Sequence, residues 1–445
     1  MTDHATSVLD HGAIPDGRTV CTRQLQAAID HAAAHGGCLV VPPGEYLTGT
    51  LHLRSDLVVD LRPGAVLRGS PDIADYEHGY HDTAFNKDLQ PYHLLVLQGL
   101  RNITIRGGGR IDGNGPAFWE PITAPDRWVR ELSRRPSPMI QCGDCVNLSW
   151  QDVEIANSPG WTLHLHRCTR VKIRGISILN HLYGPNTDGI DIDGCQDVLI
   201  SDCVIEAGDD AIVLKTTPDS RPCERVVVTN CTIATNCRAL KLGAMESFHD
   251  MRQVAFTNCV VRRSVAIFAL YSRNGAVFED IVVSNITGVA SSNGDFDQPI
   301  HIDLCRINDD RPRGGIRNVL VENIICRSSG RILLTAEPGS WLDNISLRHV
   351  LFQAEGTFDP HPRGLTAKGL QFSPRSPLAR AARAAVVADR VRGLRIDGVQ
   401  TVWPESMPAP FHAIWHRECP GALLPDPATL AASDPSVPAV HAEPA

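Results

Sequence analysis

The sequence predicts an all-β chain wound as a right-handed parallel β-helix, a solenoid with an N-terminal capping helix. Three observations predict it. Short segments with strict apolar alternation recur from about residue 100 onward, including Arg101-Asn-Ile-Thr-Ile-Arg, Val146-Asn-Leu-Ser-Trp-Gln, Thr169-Arg-Val-Lys-Ile-Arg and Gln196-Asp-Val-Leu-Ile-Ser. Alternation of period two means strands with one face turned inward. The cysteines Cys145, Cys168, Cys195 and Cys223 recur at one place in these segments at spacings of 23, 27 and 28 residues, so the coil is constant and its loops vary. Finally, Asn186-Thr-Asp-Gly-Ile-Asp-Ile and Gly208-Asp-Asp-Ala-Ile-Val-Leu superpose at an offset of 22 residues, about one coil.

The elements follow in order. Val8–Ala13 reads as a short strand and Asp16-Gly17 as a turn. A helix follows over 22–35, with Leu25, Ile29 and Ala32 on one face and Gly36-Gly37 as its stop. Such a helix would cover the apolar end of a first coil. Short strands then fall at Cys38–Val41, Pro42–Glu45, Thr50–Leu53, Leu57–Leu61 and Ala65–Gly69. Beyond Gln196 the repeat continues at Glu224, Arg252, Glu279, Arg317 and Asp343, with a weaker copy at Arg392. Phe358–Arg383 reads as an excursion, and Phe411-His-Ala-Ile-Trp closes the body. A length of 445 residues would ordinarily suggest several domains, but a solenoid need not split, so one domain is expected over 1–424. Pro, Ala and Asp dominate 425–445, which reads as a disordered tail.

Net charge is −8 with no basic run, which argues against nucleic acid and anionic membrane as partners. The N-terminal residues lack the basic and apolar regions of a signal peptide, and no apolar run is long enough to span a membrane, so a cytoplasmic location is expected. The fourteen cysteines read as stacked small apolar residues in a reduced protein. Cys142 and Cys145 form a single CxxC with no second pair nearby, so no zinc site is read. Asn102, Asn147, Asn230, Asn285 and Asn344 precede x-Ser/Thr and read as corner asparagines rather than glycosylation acceptors.

Chemistry concentrates at Asp188, Asp209 and Asp210. Neighbouring strands lie roughly 4.8 Å apart, so the 22-residue offset brings the three carboxylates to one patch. Carboxylates this close repel, and one of such a set keeps its proton near neutral pH. A neutral acid beside a carboxylate suits glycoside hydrolysis, in which one protonates the leaving group and the other activates water. The same column alignment sets Trp161, Asp188, Asp210, Arg238 and Val265 at one level. His164, Asp191, Val213, Lys241 and Phe268 lie three residues on, and His166, Asp193, Lys215, Gly243 and Leu270 two further. His301 and Asp303 also face outward by alternation. A groove for a polar, extended ligand is the reading, with Asn186, His164, Asp191, Lys215, Arg238, Lys241, Arg273 and His301 as candidate substrate contacts.

Asn186-Thr-Asp-Gly and Gly208-Asp-Asp resemble the motifs of the polygalacturonases of glycoside hydrolase family 28, and weaker likeness runs through Asp10-His-Gly-Ala, Pro43-Gly-Glu-Tyr and Arg110-Ile-Asp-Gly-Asn-Gly. The resemblance implies a glycosidase that inverts the anomeric centre of pectin-derived or related oligosaccharides. It implies Asp209 as general acid, Asp188 and Asp210 as holders of the water, and no metal or organic cofactor. The family's Gly-His-Gly aligns with Cys237-Arg238-Ala239, and its Arg-Ile-Lys with Phe268-Ala269-Leu270. Those family cations grip a uronate carboxylate; Arg238, Lys241 and Arg273 are the residues that could replace them, and a neutral or differently linked sugar is the other reading. Exo-action on imported oligosaccharides is expected. A lyase or epimerase on the same fold would leave unsaturated or epimerised sugars, and a non-catalytic glycan-binding solenoid would bind without turnover.

Overall fold

The computed structural model describes residues 5–79, 86–124, 126–291, 297–355 and 374–444. The described residues are mostly β, with parallel pairing in their strand ladders and few helices among them. Contacts divide the chain into two compact units, Met1–Ile212 and Val213–Ala445, where one domain was expected.

In the first unit, helix α1 (Thr22–Ala34) buries Leu25, Ala28, Ile29 and Ala32. Leu25 and Ile29 pack toward Leu39, Leu51 and Leu53. The helix ends where the Gly37 N–H closes on the Ala32 carbonyl at 2.7 Å. Val8–His11 is a 3-10 turn rather than a strand, because Ser7 Oγ accepts the Leu9 N–H and caps it. Asp16-Gly17 opens a strand to Val20 instead of standing as a turn. The segment expected over Pro42–Glu45 begins as a strand only at Gly44, since the two prolines donate no N–H.

Two parallel ladders build the rest of this unit. One joins β1 (Leu95–Gln98), β3 (Ile140–Gly143), β5 (Leu163–His166) and β7 (Ile190–Asp193). The other joins β2 (Arg101–Gly107), β4 (Val146–Gln151), β6 (Thr169–Arg174) and β8 (Gln196–Ser201). Leu163 pairs with Ile190 and Leu165 with Ile192, all fully buried. Each such side chain contributes about 2 kcal/mol on burial. Cys145, Cys168 and Cys195 are buried thiols, as the column predicts, and none of the fourteen cysteines is in a disulfide.

The second unit repeats this plan. Its first ladder joins β10 (Arg238–Ser247), β12 (Ala266–Ser272), β14 (Ile300–Leu304), β16 (Ile332–Ala336), β18 (Ala384–Asp389), β19 (His412–Arg417) and β20 (Val440–Glu443). Its second joins β9 (Cys223–Thr229), β11 (Met251–Thr257), β13 (Val277–Ala290), β15 (Gly315–Ser328) and β17 (Leu342–Ala354). Of the expected excursion, 358–373 lies outside the described residues. The remainder holds the short helix α2 (Pro377–Ala381), whose carbonyls at Ala379 and Arg380 accept from Arg331. The expected tail is ordered. Strand β20 pairs with β19, Trp403 Nε1 donates to Ala431 O at 2.8 Å, and Ser433 N donates to Phe411 O at 2.8 Å. Composition misleads here because strand pairing uses backbone groups, and the last coil leaves an edge that needs a partner.

The corner asparagines are left-handed, with φ of 56° at Asn102, 61° at Asn147, 57° at Asn230, 55° at Asn285 and 53° at Asn344. Several are also rungs of side-chain ladders. Asn147 Nδ2 donates to Asn102 Oδ1 at 2.8 Å, and Arg170 Nε donates to Asn147 Oδ1 at 2.6 Å. In the second unit Asn344 donates to Asn318 and Asn323 to Asn285. Asparagine tolerates this conformation better than other side chains. Asn147→Ala should therefore cost about 1–2 kcal/mol, from strain at positive φ and two lost hydrogen bonds. Asn147→Gly, which removes the strain, should cost less than half as much in denaturant unfolding. Equal and negligible losses in both variants would show that the corner is indifferent to its residue.

Candidate active site

The first unit brings Asn186, Asp188, Asp209 and Asp210 together through its backbone. The Thr162 N–H donates to Asp188 O at 3.0 Å and the Leu163 N–H to Gly189 O at 3.2 Å. The Gly189 N–H donates to Asp210 O and the Ile190 N–H to Ala211 O, each at 2.9 Å. Asp188 and Asp210 thus hold equivalent places on consecutive turns, as the 22-residue offset predicts. Both are 3% exposed, and Asp209 is half-buried. Asp209 Oδ1 accepts the Asp210 N–H at 2.9 Å, and Oδ2 faces Asn186 Nδ2 at 3.5 Å.

The surrounding residues explain the motif. Thr187 Oγ1, fully buried, accepts the Gly208 N–H at 3.0 Å and so ties one turn to the next. A Cβ at Gly208 would sit 2.5 Å from both Gly184 O and Thr187 Oγ1, and one at Gly189 would sit 2.4 Å from Ala211 O. Neither position admits a side chain, so both glycines are demanded by close backbone approach.

His164 and Asp191 meet directly across β5 and β7, as do His166 and Asp193. All four are buried. His164 Nδ1 lies 2.8 Å from Gln141 Oε1, and its Nε2 lies 3.4 Å from Asp193 Oδ2. The His164 and His166 rings stack at 5.8 Å. Arg135, which carries no periodic signal and was missed, is 2% exposed. It donates to Pro159 O at 2.9 Å, Pro185 O at 2.6 Å, Asp88 Oδ1 at 3.1 Å and Asn186 Oδ1 at 3.3 Å. Burial pushes its guanidinium below its ordinary value, against the opposing charges of Asp88, Glu131 and Asp188.

The second unit gathers the expected cations around a residue the sequence did not single out, Tyr271. Arg238 lies over the Tyr271 ring at 5.7 Å and Arg273 at 5.1 Å. Burial pushes the Tyr271 phenol up, while the charges of Arg238, Arg273 and Lys241 pull it down. Arg273 is not a spare cation: it is 4% exposed and its Nη2 pairs with Asp303 Oδ2 at 2.7 Å. His301 points out of the strand but is fully buried, its Nδ1 at 2.9 Å from Tyr271 Oη. Lys215 is buried on the strand Ile212–Thr216.

Comparison with known proteins bears on this arrangement. The family model for glycosyl hydrolases family 28 matches residues 77–303, just over half of the chain. The chain belongs to that family. A probable polygalacturonase of Vitis vinifera is 30% identical over 227 residues, 48% of this chain and 44% of that protein. The matches span less than half of the first curated relatives' own length. Among solved structures, a hyperthermoactive exopolygalacturonase from Thermotoga maritima is similar at a TM-score of 0.66 and 23% identity, over 80% of this chain and 88% of that one. A family 28 exopolygalacturonase from Yersinia enterocolitica reaches 0.72 at 17% identity, over 93% of this chain and 78% of that one. Both share the fold.

Family 28 membership sharpens one correction. The columns drawn from sequence paired Arg238 with Val265, Lys241 with Phe268 and Gly243 with Leu270. The strands instead pair Arg238 with Ala266, Lys241 with Ala269 and Gly243 with Tyr271. The step is 28 residues, one more than assumed, and a slip of one residue exchanges the two faces of a strand. Phe268 and Leu270 are therefore core residues, and Ala269 and Tyr271 hold the outward positions. The family's Arg-Ile-Lys cations are absent on either register.

The buried imidazole of His301 makes the second unit acid-sensitive. Burial lowers its pKa from 6.5 to about 3, with Arg273, Arg238 and Arg331 pushing the same way and Asp303 opposing. Between those values the unfolded chain binds the extra proton, so stability is fully present above about pH 6.5 and is lost as the pH falls toward 3. His301→Gln should flatten the decline of melting temperature between pH 6.5 and pH 4. An unchanged slope would place the acid sensitivity elsewhere.

Proposed function

We propose that this family 28 chain is an inverting, exo-acting hydrolase of galacturonide oligosaccharides, with Asp209 as general acid and Asp188 and Asp210 as the pair that holds and activates water. The observation that carries the reading is the register-locked carboxylate set: two buried aspartates on consecutive turns with a third, half-buried, beside them. Asp209 gives its proton to the glycosidic oxygen as the bond to the anomeric carbon breaks. Water attacks that carbon from the opposite face and yields a proton to Asp188 or Asp210, which inverts the centre. The similarity to proteins named polygalacturonase and exopolygalacturonase supports the substrate class and the exo mode. Fourteen thiols without a disulfide fit a reduced compartment and so a cytoplasmic enzyme fed by imported oligosaccharides. A right-handed coil closed at its first turn by α1 fits the same family.

For Arg238 and Lys241 we propose contact with a sugar carboxylate. Both are cations on β10 near Tyr271, and they stand in a chain that lacks the family's usual pair.

Asp209→Asn should lower kcat for reducing-end release from trigalacturonate by about a thousandfold, with KM within about threefold and no unsaturated products. Undiminished turnover in the variant would remove Asp209 from the mechanism, and ultraviolet-absorbing ends would make the enzyme a lyase. Arg238→Ala should raise KM for trigalacturonate by about tenfold while leaving the methyl-esterified substrate nearly unaffected. Equal changes for both substrates would mean that Arg238 does not read the carboxylate.

A further inference from the structure

We infer that Arg135 is a positioning residue, which acts through the side-chain amide of Asn186 to aim a hydrogen-bond donor at Asp209; this rests on the hydrolase reading above. Arg135 sits in an aperiodic stretch, Arg134-Arg-Pro-Ser-Pro, and is 98% removed from solvent at 2% exposure. A buried guanidinium persists only if its donors are satisfied. Here two backbone carbonyls on consecutive turns, Pro159 and Pro185, take one nitrogen, while Asp88 and Asn186 take the other.

The consequence lies in the chemistry of the amide. Arginine donates and never accepts, whereas an asparagine amide has an accepting oxygen at one end and a donating nitrogen at the other. With the guanidinium at 3.3 Å, Asn186 must turn its oxygen toward Arg135. Its NH2 group is then left facing Asp209 Oδ2 at 3.5 Å. The reverse orientation would set NH2 against the guanidinium, a repulsive contact between two donors. The direction of the amide therefore follows from its neighbours. Pro185, gripped by the same guanidinium, is the residue before Asn186, and Asn186 itself holds a left-handed φ of 49°. Arg135 thus fixes both the turn and the amide it carries.

The donor faces the oxygen that becomes negative as Asp209 gives up its proton. A hydrogen bond that is long in the free enzyme and tightens as charge develops favours the transition state over the bound substrate. Asn186, read from sequence as a substrate contact, is on this account a link between Arg135 and the acid.

A double-mutant cycle tests the inference. Arg135→Lys keeps a cation for Asp88 but cannot grip two carbonyls and the amide together. Both Arg135→Lys and Asn186→Ala should lower kcat by about 10- to 100-fold with KM within about threefold, and the double variant should fall no more than about threefold below the worse single one. Multiplying losses, or an unchanged kcat in Arg135→Lys, would overturn the inference and leave Arg135 a structural residue. The second readout needs no turnover. The Asn186 side-chain amide resonance, assigned by its loss in Asn186→Ala, should move in Asp209→Asn, and that response should vanish in the Arg135→Lys background. No movement in the otherwise wild-type protein would also overturn it. A wild type that cleaves no galacturonide would defeat the hydrolase reading, while the amide resonance would still decide whether Arg135 directs Asn186 at Asp209.

Discussion

Parallel backbone pairing between successive coils is the constraint from which the rest follows. Within the ladders, strand N–H groups commit to carbonyls one coil away, so residues remote in sequence are held at equivalent places. Gly189 N to Asp210 O is such a bond, and it puts Asp188 and Asp210 on one level. The same rule explains why a single residue of loop length matters. One extra residue between Arg238 and Ala266 turns Phe268 inward to the core and Tyr271 outward to the cations.

The outward faces of the ladder through β5 and β7 in the first unit, and of the ladder through β12 and β14 in the second, carry charge that is nonetheless buried. His164, Asp191 and Asp193 in the first unit, and His301, Asp303 and Arg273 in the second, are all at most 4% exposed. Burial of such groups is costly unless each finds a counterpart. Asp303 shows how that is met: one oxygen takes Arg273 at 2.7 Å and the other takes the Thr335 hydroxyl at 2.5 Å, each from a neighbouring coil. The ladder supplies partners at strand spacing, so a polar column can satisfy itself from rung to rung. A polar side chain at an outward position is therefore not on that ground a surface residue.

What could be read from sequence divides along the same line. The alternating segments, the corner asparagines, α1 and the 22-residue offset of the aspartates are periodic or local signals, and each appears in the structure at the expected residues. Arg135 and Tyr271 gave no such signal. Arg135 reaches partners 24, 47, 50 and 51 residues away from an irregular loop, and no spacing rule connects those positions. Arg273 could be read as a cation but not as one already held, because its carboxylate lies 30 residues on in another strand. The ordered end of the chain escaped for a related reason: its pairing partner is β19, and composition carries no information about a free edge.

The carboxylate set also carries an electrostatic cost that its surroundings must offset. Asp188, Asp209 and Asp210 repel one another, and the two buried ones have little water to screen them. Arg135 is buried close enough for its charge and that of Asp188 to act on each other, although burial works against its ionisation. Its position is a compromise. Near enough to offset the crowding, it is kept from pairing directly with Asp209 by the intervening amide of Asn186, which presents a hydrogen-bond donor in place of a full charge. A direct Arg–Asp209 pair would hold the carboxylate ionised and unable to deliver a proton. An amide between them supports a negative charge without demanding it beforehand, and this is the property that the proposed role of Asp209 as general acid needs from its neighbour.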